Sequence, residues 1–134
     1  PHLAEIATIP MGDRIHLVGH RQDVPSIMAM ADFQVQPSIS GEGLPRTIIE
    51  AMANGTTSVV TTTGGSPELV EDGKTGYVVP TKDAVAFGKA MNKLVNDKAK
   101  IVEFSQAAKT KLDNEFNAKQ TVQRHIDFFQ RLLG

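Results

Sequence analysis

Two glutamates separated by seven residues stand in the chemically richest stretch of the chain, Pro37-Ser38-Ile39-Ser40-Gly41-Glu42-Gly43-Leu44-Pro45-Arg46-Thr47-Ile48-Ile49-Glu50-Ala51-Met52-Ala53-Asn54-Gly55. Pro45 suits the first turn of a helix, because its φ is fixed and its missing N–H would have no intrahelical acceptor. Gly55 suits the position just past the helix end, where a left-handed residue closes the last turn. On that helix Ile48, Ile49, Met52 and Ala53 share one face, and Glu50 lies off the centre of it. The free N–H groups of the first turn, around Leu44 to Thr47, form with the helix dipole a site for an anion such as a phosphate. Glu50 is roughly 7–8 Å along the axis from Pro45, a distance at which a carboxylate can accept two ribose hydroxyls. Glu42, about one turn ahead of the helix, can address the group beyond the phosphate. The residues alone leave a second reading open, in which both glutamates are ordinary solvent-facing charges.

Elements that would position these residues follow from patterning. Arg14–Val18, Asp32–Gln36, Ser58–Thr62 and Tyr77–Val79 are short β-branched runs bounded by Gly, Pro or Ser, and read as strands. Helical patterns over Val24–Ala31, Pro45–Asn54 and Pro67–Glu71 alternate with them. Such alternation predicts the α/β class: a parallel sheet of about four strands in chain order, joined by right-handed crossovers and flanked by helices. Residues 82–134 then read as a helical tail of the same domain, with helices near 82–96, 98–114 and 118–133. In the first of these Val85, Phe87, Met91, Leu94 and Val95 form the expected apolar stripe. Parallel sheets bind ligands outside the carboxyl ends of their strands. There the sequence places Gly19-His20-Arg21, the Pro37–Leu44 segment and Thr63-Gly64-Gly65-Ser66, all rich in residues that let backbone approach a ligand.

Composition narrows the function. The 134 residues, 40% of them apolar, suffice for one domain with a core and not for two. A formal net charge of −1 and only seven Phe and Tyr residues, with no Trp, argue against nucleic acid as a partner. The absence of cysteine excludes a disulfide framework and a thiolate metal site, and fits a cytoplasmic location. No apolar run approaches the ~20 residues of a membrane span. Charge is divided unevenly, however: residues 1–81 hold four basic and nine acidic side chains, residues 82–134 ten and six. A basic helical tail can dock at an anionic membrane surface, and solvated helix faces produce the same count.

The segment Glu42-Gly43-Leu44-Pro45-Arg46-Thr47-Ile48-Ile49-Glu50-Ala51-Met52-Ala53 resembles the E-x7-E signature of family 4 retaining glycosyltransferases. Further motifs are similar in the same order: Ala31-Asp32-Phe33 with Pro37-Ser38, then Val60 to Val70 with Gly64-Gly65-Ser66-Pro67-Glu68, then Asp72 to Pro80. The resemblance is close over residues 14–81 and loose over the tail. It implies a GT-B enzyme of two Rossmann-like lobes, of which this chain is similar to the C-terminal, donor-binding one. Glu42 would then contact hydroxyls of the donor sugar as the catalytic residue, and Glu50 the ribose of the nucleotide. Backbone N–H groups of Gly43, Leu44, Pro45-Arg46 and Thr47 would face sugar and diphosphate, with Ser38, Gly64 and Gly65 close by. Gly19, His20 and Arg21 match the segment lying near the base. The family needs no metal or other cofactor, because helix dipoles and basic side chains stabilise the leaving diphosphate. Two further strands, the Arg and Lys that clamp the diphosphate, and the acceptor-binding N-terminal lobe have no counterpart here. The expectation is therefore a little over two-thirds of one lobe, inactive alone, with polysaccharide biosynthesis as the setting. Its expected partners are a nucleotide-sugar donor, the absent acceptor lobe or a partner chain, and a second copy of itself through an exposed sheet edge.

Competing motifs are weak. Ser66-Pro67-Glu68 reads as helix initiation with Ser66 as N-cap, more readily than as a phosphate site. No G-x-G-x-x-G follows the first strand, and Asp72-Gly73-Lys74-Thr75-Gly76 is a turn rather than a P-loop. His16 and His20 lie in and after a strand, His125 on the last helix, without metal-ligand spacing. No G-x-S-x-G elbow supports a serine nucleophile. Two function classes stay open: the donor-binding part of an enzyme, or a non-catalytic remnant or interaction module that keeps the fold.

Overall fold

The computed structural model describes residues 8–10, 12–41 and 43–133. After a 3-10 turn at Gly12–Arg14, the elements in chain order are α1 (Val24–Met30), β1 (Gln34–Gln36), α2 (Arg46–Ala53), β2 (Ser58–Thr61), α3 (Ser66–Leu69) and β3 (Gly76–Val79). Three longer helices follow: α4 (Ala84–Val95), α5 (Lys98–Glu115) and α6 (Ala118–Leu133).

Strand order is β1-β2-β3 and both pairings are parallel, with Val35 opposite Val59 and Val59 opposite Tyr77. The alternation of a strand separates the two faces. Val60 and Val78 point to one side, where Ile48 and Met52 of α2, Leu69 of α3 and Ala108 of α5 complete a cluster. Val59, Tyr77 and Val79 point to the other, against Ala90 and Leu94 of α4 and Phe104 of α5. Tyr77 and Phe104 meet edge to face with ring centroids 5.4 Å apart. Helix α5 thus serves both faces, and it does so by crossing the amino ends of the strands, where Ser105 Oγ accepts the Thr57 N–H at 3.1 Å. The carboxyl ends stay open.

The fold is the expected α/β arrangement with three strands. The run at 14–18 forms no strand: Arg14 belongs to the 3-10 turn, and Ile15, Leu17 and Val18 are exposed. A β-branched run becomes a strand only when it pairs with a neighbour, and residues 14–18 pair with none of the three strands. The stripe of α4 is also rotated from its expected position. Val85 and Val95 are exposed, whereas Ala86, Phe87, Ala90, Met91 and Leu94 face the sheet. On α2 the buried set is Ile48, Ala51 and Met52 with Ile49 half-buried, and Ala53 is exposed. Pro45 sits at the N-cap position with φ −67° and ψ 114°, one residue ahead of the helix. The end of α2 is as expected: Gly55 takes φ +71°, its N–H reaches Met52 O at 3.1 Å, and Thr56 N–H reaches Ala51 O at 2.9 Å. That pair of bonds is a Schellman closure.

Candidate functional site

At the carboxyl edge of the sheet the loops after β1 and β2 cross, and α2 begins beside the crossing. Gly65 N–H donates to Gly43 O at 2.7 Å. A Cβ on Gly65 would stand 2.9 Å from Gly43 O and 2.9 Å from Leu44 Cδ1, so only glycine allows so close a crossing. Thr63 Oγ1 donates to Ser38 O at 2.9 Å, and Thr61 Oγ1 donates to the same oxygen. From β1, Gln36 reaches both flanks: its Oε1 accepts from Thr47 Oγ1 at 3.0 Å and its Nε2 donates to Ser38 Oγ at 3.0 Å. The first turn of α2 is therefore tied to the strand that precedes it.

Among the described residues no side chain caps α2. The N–H groups of Arg46 and Thr47 precede the first residue with an intrahelical acceptor, and Ile48 N–H reaches back to Pro45 O at 3.2 Å. This is an eight-residue helix with its positive end facing the open edge of the sheet. Glu50 lies on the following turn, its side chain 34% exposed, with Oε1 accepting from Arg46 Nε at 2.9 Å. The Arg46 side chain is 89% exposed and free to swing. A carboxylate oxygen has two lone pairs, so Glu50 can accept hydroxyls while Arg46 remains bound.

Ser38, Gly43, Leu44, Pro45, Arg46, Thr47, Glu50, Gly64 and Gly65 are brought to one edge of the sheet. Glu42 lies outside the described residues. Gly19, His20 and Arg21 are exposed and precede α1, whose Met28 carbonyl accepts from Thr56 Oγ1 at 2.7 Å at the amino side of β2. The opposite end of α1, with Arg21, therefore points toward the carboxyl edge. Arg21 is engaged there by Asp23, at 2.7 Å through Nε and 2.6 Å through a terminal nitrogen. That hydrogen bond raises the Arg21 pKa and lowers that of Asp23. Ser66 does not cap α3: Gly65 holds the N-cap position, and Ser66 Oγ is buried with no hydrogen-bond partner among the described residues. The contact to Gly43 fixes Gly65 and moves the helix start by one residue. The sequence placed Gln36, Thr61 and Thr63 at or just after strand ends but not the hydrogen bonds by which they tie the loops together. Three consecutive threonines leaving a strand at the open edge were the available signal.

An apolar cleft of about 370 Å³ lies on the other face, between Pro37, Ile39 and the start of α4 at Ala84, Phe87 and Met91, and Glu50 does not line it. Among the described residues no three His, Asp or Glu side chains group closely enough to hold a metal ion. No helix among them is long and apolar enough to cross a membrane.

A parallel sheet with helices on both faces and glycine-rich loops at the carboxyl ends of its strands defines a Rossmann-like class of fold. Within that class the chain belongs to the family described as Glycosyl transferases group 1, whose profile matches residues 1–97. It is 30% identical over 134 aligned residues to the amylovoran biosynthesis glycosyltransferase AmsK of Erwinia amylovora, covering 95% of this chain and 33% of that protein. It is 30% identical over 116 residues to the Escherichia coli UDP-Gal:alpha-D-GlcNAc-diphosphoundecaprenol alpha-1,3-galactosyltransferase, covering 87% and 30%. The crystal structure of Anabaena HepE in complex with UDP superposes with a TM-score of 0.90 at 25% identity, covering 97% of this chain and 36% of that one. The chain thus spans about a third of the length of these relatives.

Proposed function

We propose that this chain is the donor-binding part of a retaining glycosyltransferase, which moves a hexose from a nucleoside diphosphate sugar to a glycan or lipid acceptor. The observation that carries this reading is the uncapped start of α2, with Glu50 one turn beyond it at the open edge of the sheet. Amides of Arg46 and Thr47 take the diphosphate, and Glu50 takes the ribose hydroxyls. Glu42 addresses the donor sugar, and the Gly19–Arg21 segment approaches the base. The similar Anabaena structures are complexes with UDP and with UDP-glucose, which makes uridine the first base to try. The E. coli relative is a galactosyltransferase acting on a GlcNAc-diphosphoundecaprenol, which makes a lipid-linked glycan the first acceptor class. The metal-free reading belongs to the same proposal, because dipole and basic side chains can carry the leaving charge.

One helix terminus contributes only ~0.3–2 kcal/mol toward an anion, so the chain alone should bind nucleoside diphosphates with millimolar affinity, about −4 kcal/mol. Titration of the 15N-labelled chain with uridine, guanosine and adenosine diphosphates tests this. Amide shifts concentrated at residues 19–21 and 42–50 are expected. Shifts confined to the α4 cleft would sink the reading. Transfer needs an acceptor held against the anomeric carbon, an orientation that supplies ~7–11 kcal/mol, so no turnover is expected from this chain by itself.

A further inference from the structure

The loop after β2 grips the loop after β1 at two points. Thr61 and Thr63, only 3% and 7% exposed, both donate their hydroxyls to Ser38 O, at 2.5 and 2.9 Å. Gly65 N–H takes Gly43 O at 2.7 Å. Ser38 and Gly43 bracket the four residues Ile39 to Glu42. The gripping loop is itself anchored: Thr62 N–H donates to Val79 O at 2.9 Å, Thr63 N–H to Thr61 O at 2.7 Å, and Ser66 N–H to Thr63 O at 3.2 Å. Force on the β1–α2 loop is thereby passed to the buried ends of β2 and β3.

From this geometry we infer that Thr63 and Gly65 are positioning residues, a clamp that fixes the Ser38–Leu44 segment and the amides leading into α2. They do this without touching the donor. The inference rests on the donor-site reading given above and assigns Gly65 a different role from direct donor contact. The physical argument is preorganisation. A loop with two glycines at Gly41 and Gly43 samples many conformers when released, and each binding event must then order it. With Ser38 O and Gly43 O both held, the two ends of the loop are fixed in place before the nucleotide arrives. The hydroxyls of Thr61 and Thr63 are spent on Ser38 O, and the Gly65 amide on Gly43 O, so neither point has its donor left for a phosphate.

The test uses the 15N-labelled chain and three variants, Thr63→Val, Thr63→Ser and Gly65→Ala, with uridine diphosphate as the probe. Backbone order parameters are measured first without nucleotide. Thr63→Val is nearly isosteric, and unchanged signals from Val59, Val60 and Leu69 report that its core is intact. Expected is a fall across residues 38–44 toward the flexible range, below ~0.6. Uridine diphosphate affinity should drop roughly three- to tenfold, the worth of one neutral hydrogen bond. Thr63→Ser should restore both readings, and saturating nucleotide should return loop order to Thr63→Val, which a merely structural threonine would not show. Gly65→Ala should loosen the same segment by pushing Gly43 and Leu44 away. Unchanged loop order in Thr63→Val and Gly65→Ala overturns the inference, as does lost order with unchanged affinity or a serine that rescues neither. If the unsubstituted chain binds no uridine diphosphate, the donor reading fails and the inference with it. If the unsubstituted chain binds and Thr63→Val binds with the same affinity, the inference alone is overturned.

Discussion

Glu50 lies one turn into α2, paired with Arg46 and about a third exposed, on the helix whose first amides, those of Arg46 and Thr47, have no acceptor among the described residues. Replacing it with Gln keeps the shape and removes the charge. In a complete enzyme Glu50→Gln should weaken nucleotide binding by ~1.5–3 kcal/mol, the value of a charge-assisted hydrogen bond, and so raise KM for the donor. On the proposed reading, in which Glu42 addresses the reacting sugar, Glu42→Gln should act on kcat instead. Steady-state kinetics on the full-length enzyme separates the two, and equal behaviour of both variants would remove the distinction. The place of Glu50 on α2 was legible in the sequence because a helix start, a helix end and a one-turn offset are local properties. The hydrogen bond of Thr63 was not, because its acceptor Ser38 lies 25 residues away in the chain. Ser66 was misread for the same reason. A serine before Pro-Glu looks like a cap until the backbone of Gly43 closes on Gly65.

At the scale of elements, β2 was legible because Val59, Val60 and Thr61 are β-branched, and the whole of Ser58–Thr61 is buried. The run at 14–18 shows the limit of such reasoning, since it also contains Ile15 and Val18 yet stays exposed and unpaired in the sheet. For α2, boundaries came within one residue because Pro45 and Gly55 mark them chemically. Gly55 at φ +71° makes a specific prediction. A Cβ there meets no atom within 4 Å, so Gly55→Ala isolates the backbone term. It should cost about 1–2 kcal/mol, the penalty of a left-handed conformation for an L-residue, read as a lower urea midpoint at constant m. Ile48→Ala, at a fully buried position between α2 and the sheet, should cost more, about 2–5 kcal/mol, because a cavity is left. If Gly55→Ala proved the costlier of the two, packing of α2 would matter less than its closure.

The molecule as a whole is an α/β unit closed at the amino ends of its strands by α5 and open at the carboxyl ends. Helix α6 stands outside it. Val122, Ile126, Phe128, Phe129, Leu132 and Leu133 are all exposed, and none of them joins either core cluster. Removal of residues 118–134 should therefore leave the urea midpoint of the α/β unit unchanged, and a marked loss would mean that α6 packs on it. Beyond apolar packing and the Thr57–Ser105 hydrogen bond, an ion cluster ties α5 to the unit. Lys111, its side chain 11% exposed, meets Glu71 Oε1 at 3.2 Å and Glu115 Oε2 at 2.6 Å, and Lys74 meets Glu71 Oε2 at 3.1 Å. Hydrogen bonds from Lys74 first and Lys111 second hold the Glu71 carboxyl below its ordinary pKa. Burial lowers the Lys111 pKa, but bonds to Glu115 and Glu71 outweigh it and leave the group raised. A depressed carboxylate contributes stability that is complete above its unfolded pKa and fades as pH falls through its folded one. A raised lysine contributes stability that is complete below its unfolded pKa and fades as pH rises through its folded one. The cluster is thus fully effective from about pH 5 to about pH 10 and weakens outside that window on both sides. Lys111→Met keeps the packing stem and removes one partner of Glu71, so the acid limb of the stability curve should flatten and the alkaline limb should lose its lysine contribution. Urea midpoints measured from pH 3 to 11 on both proteins decide it, and parallel curves would show that this ion cluster does not couple α5 to the sheet.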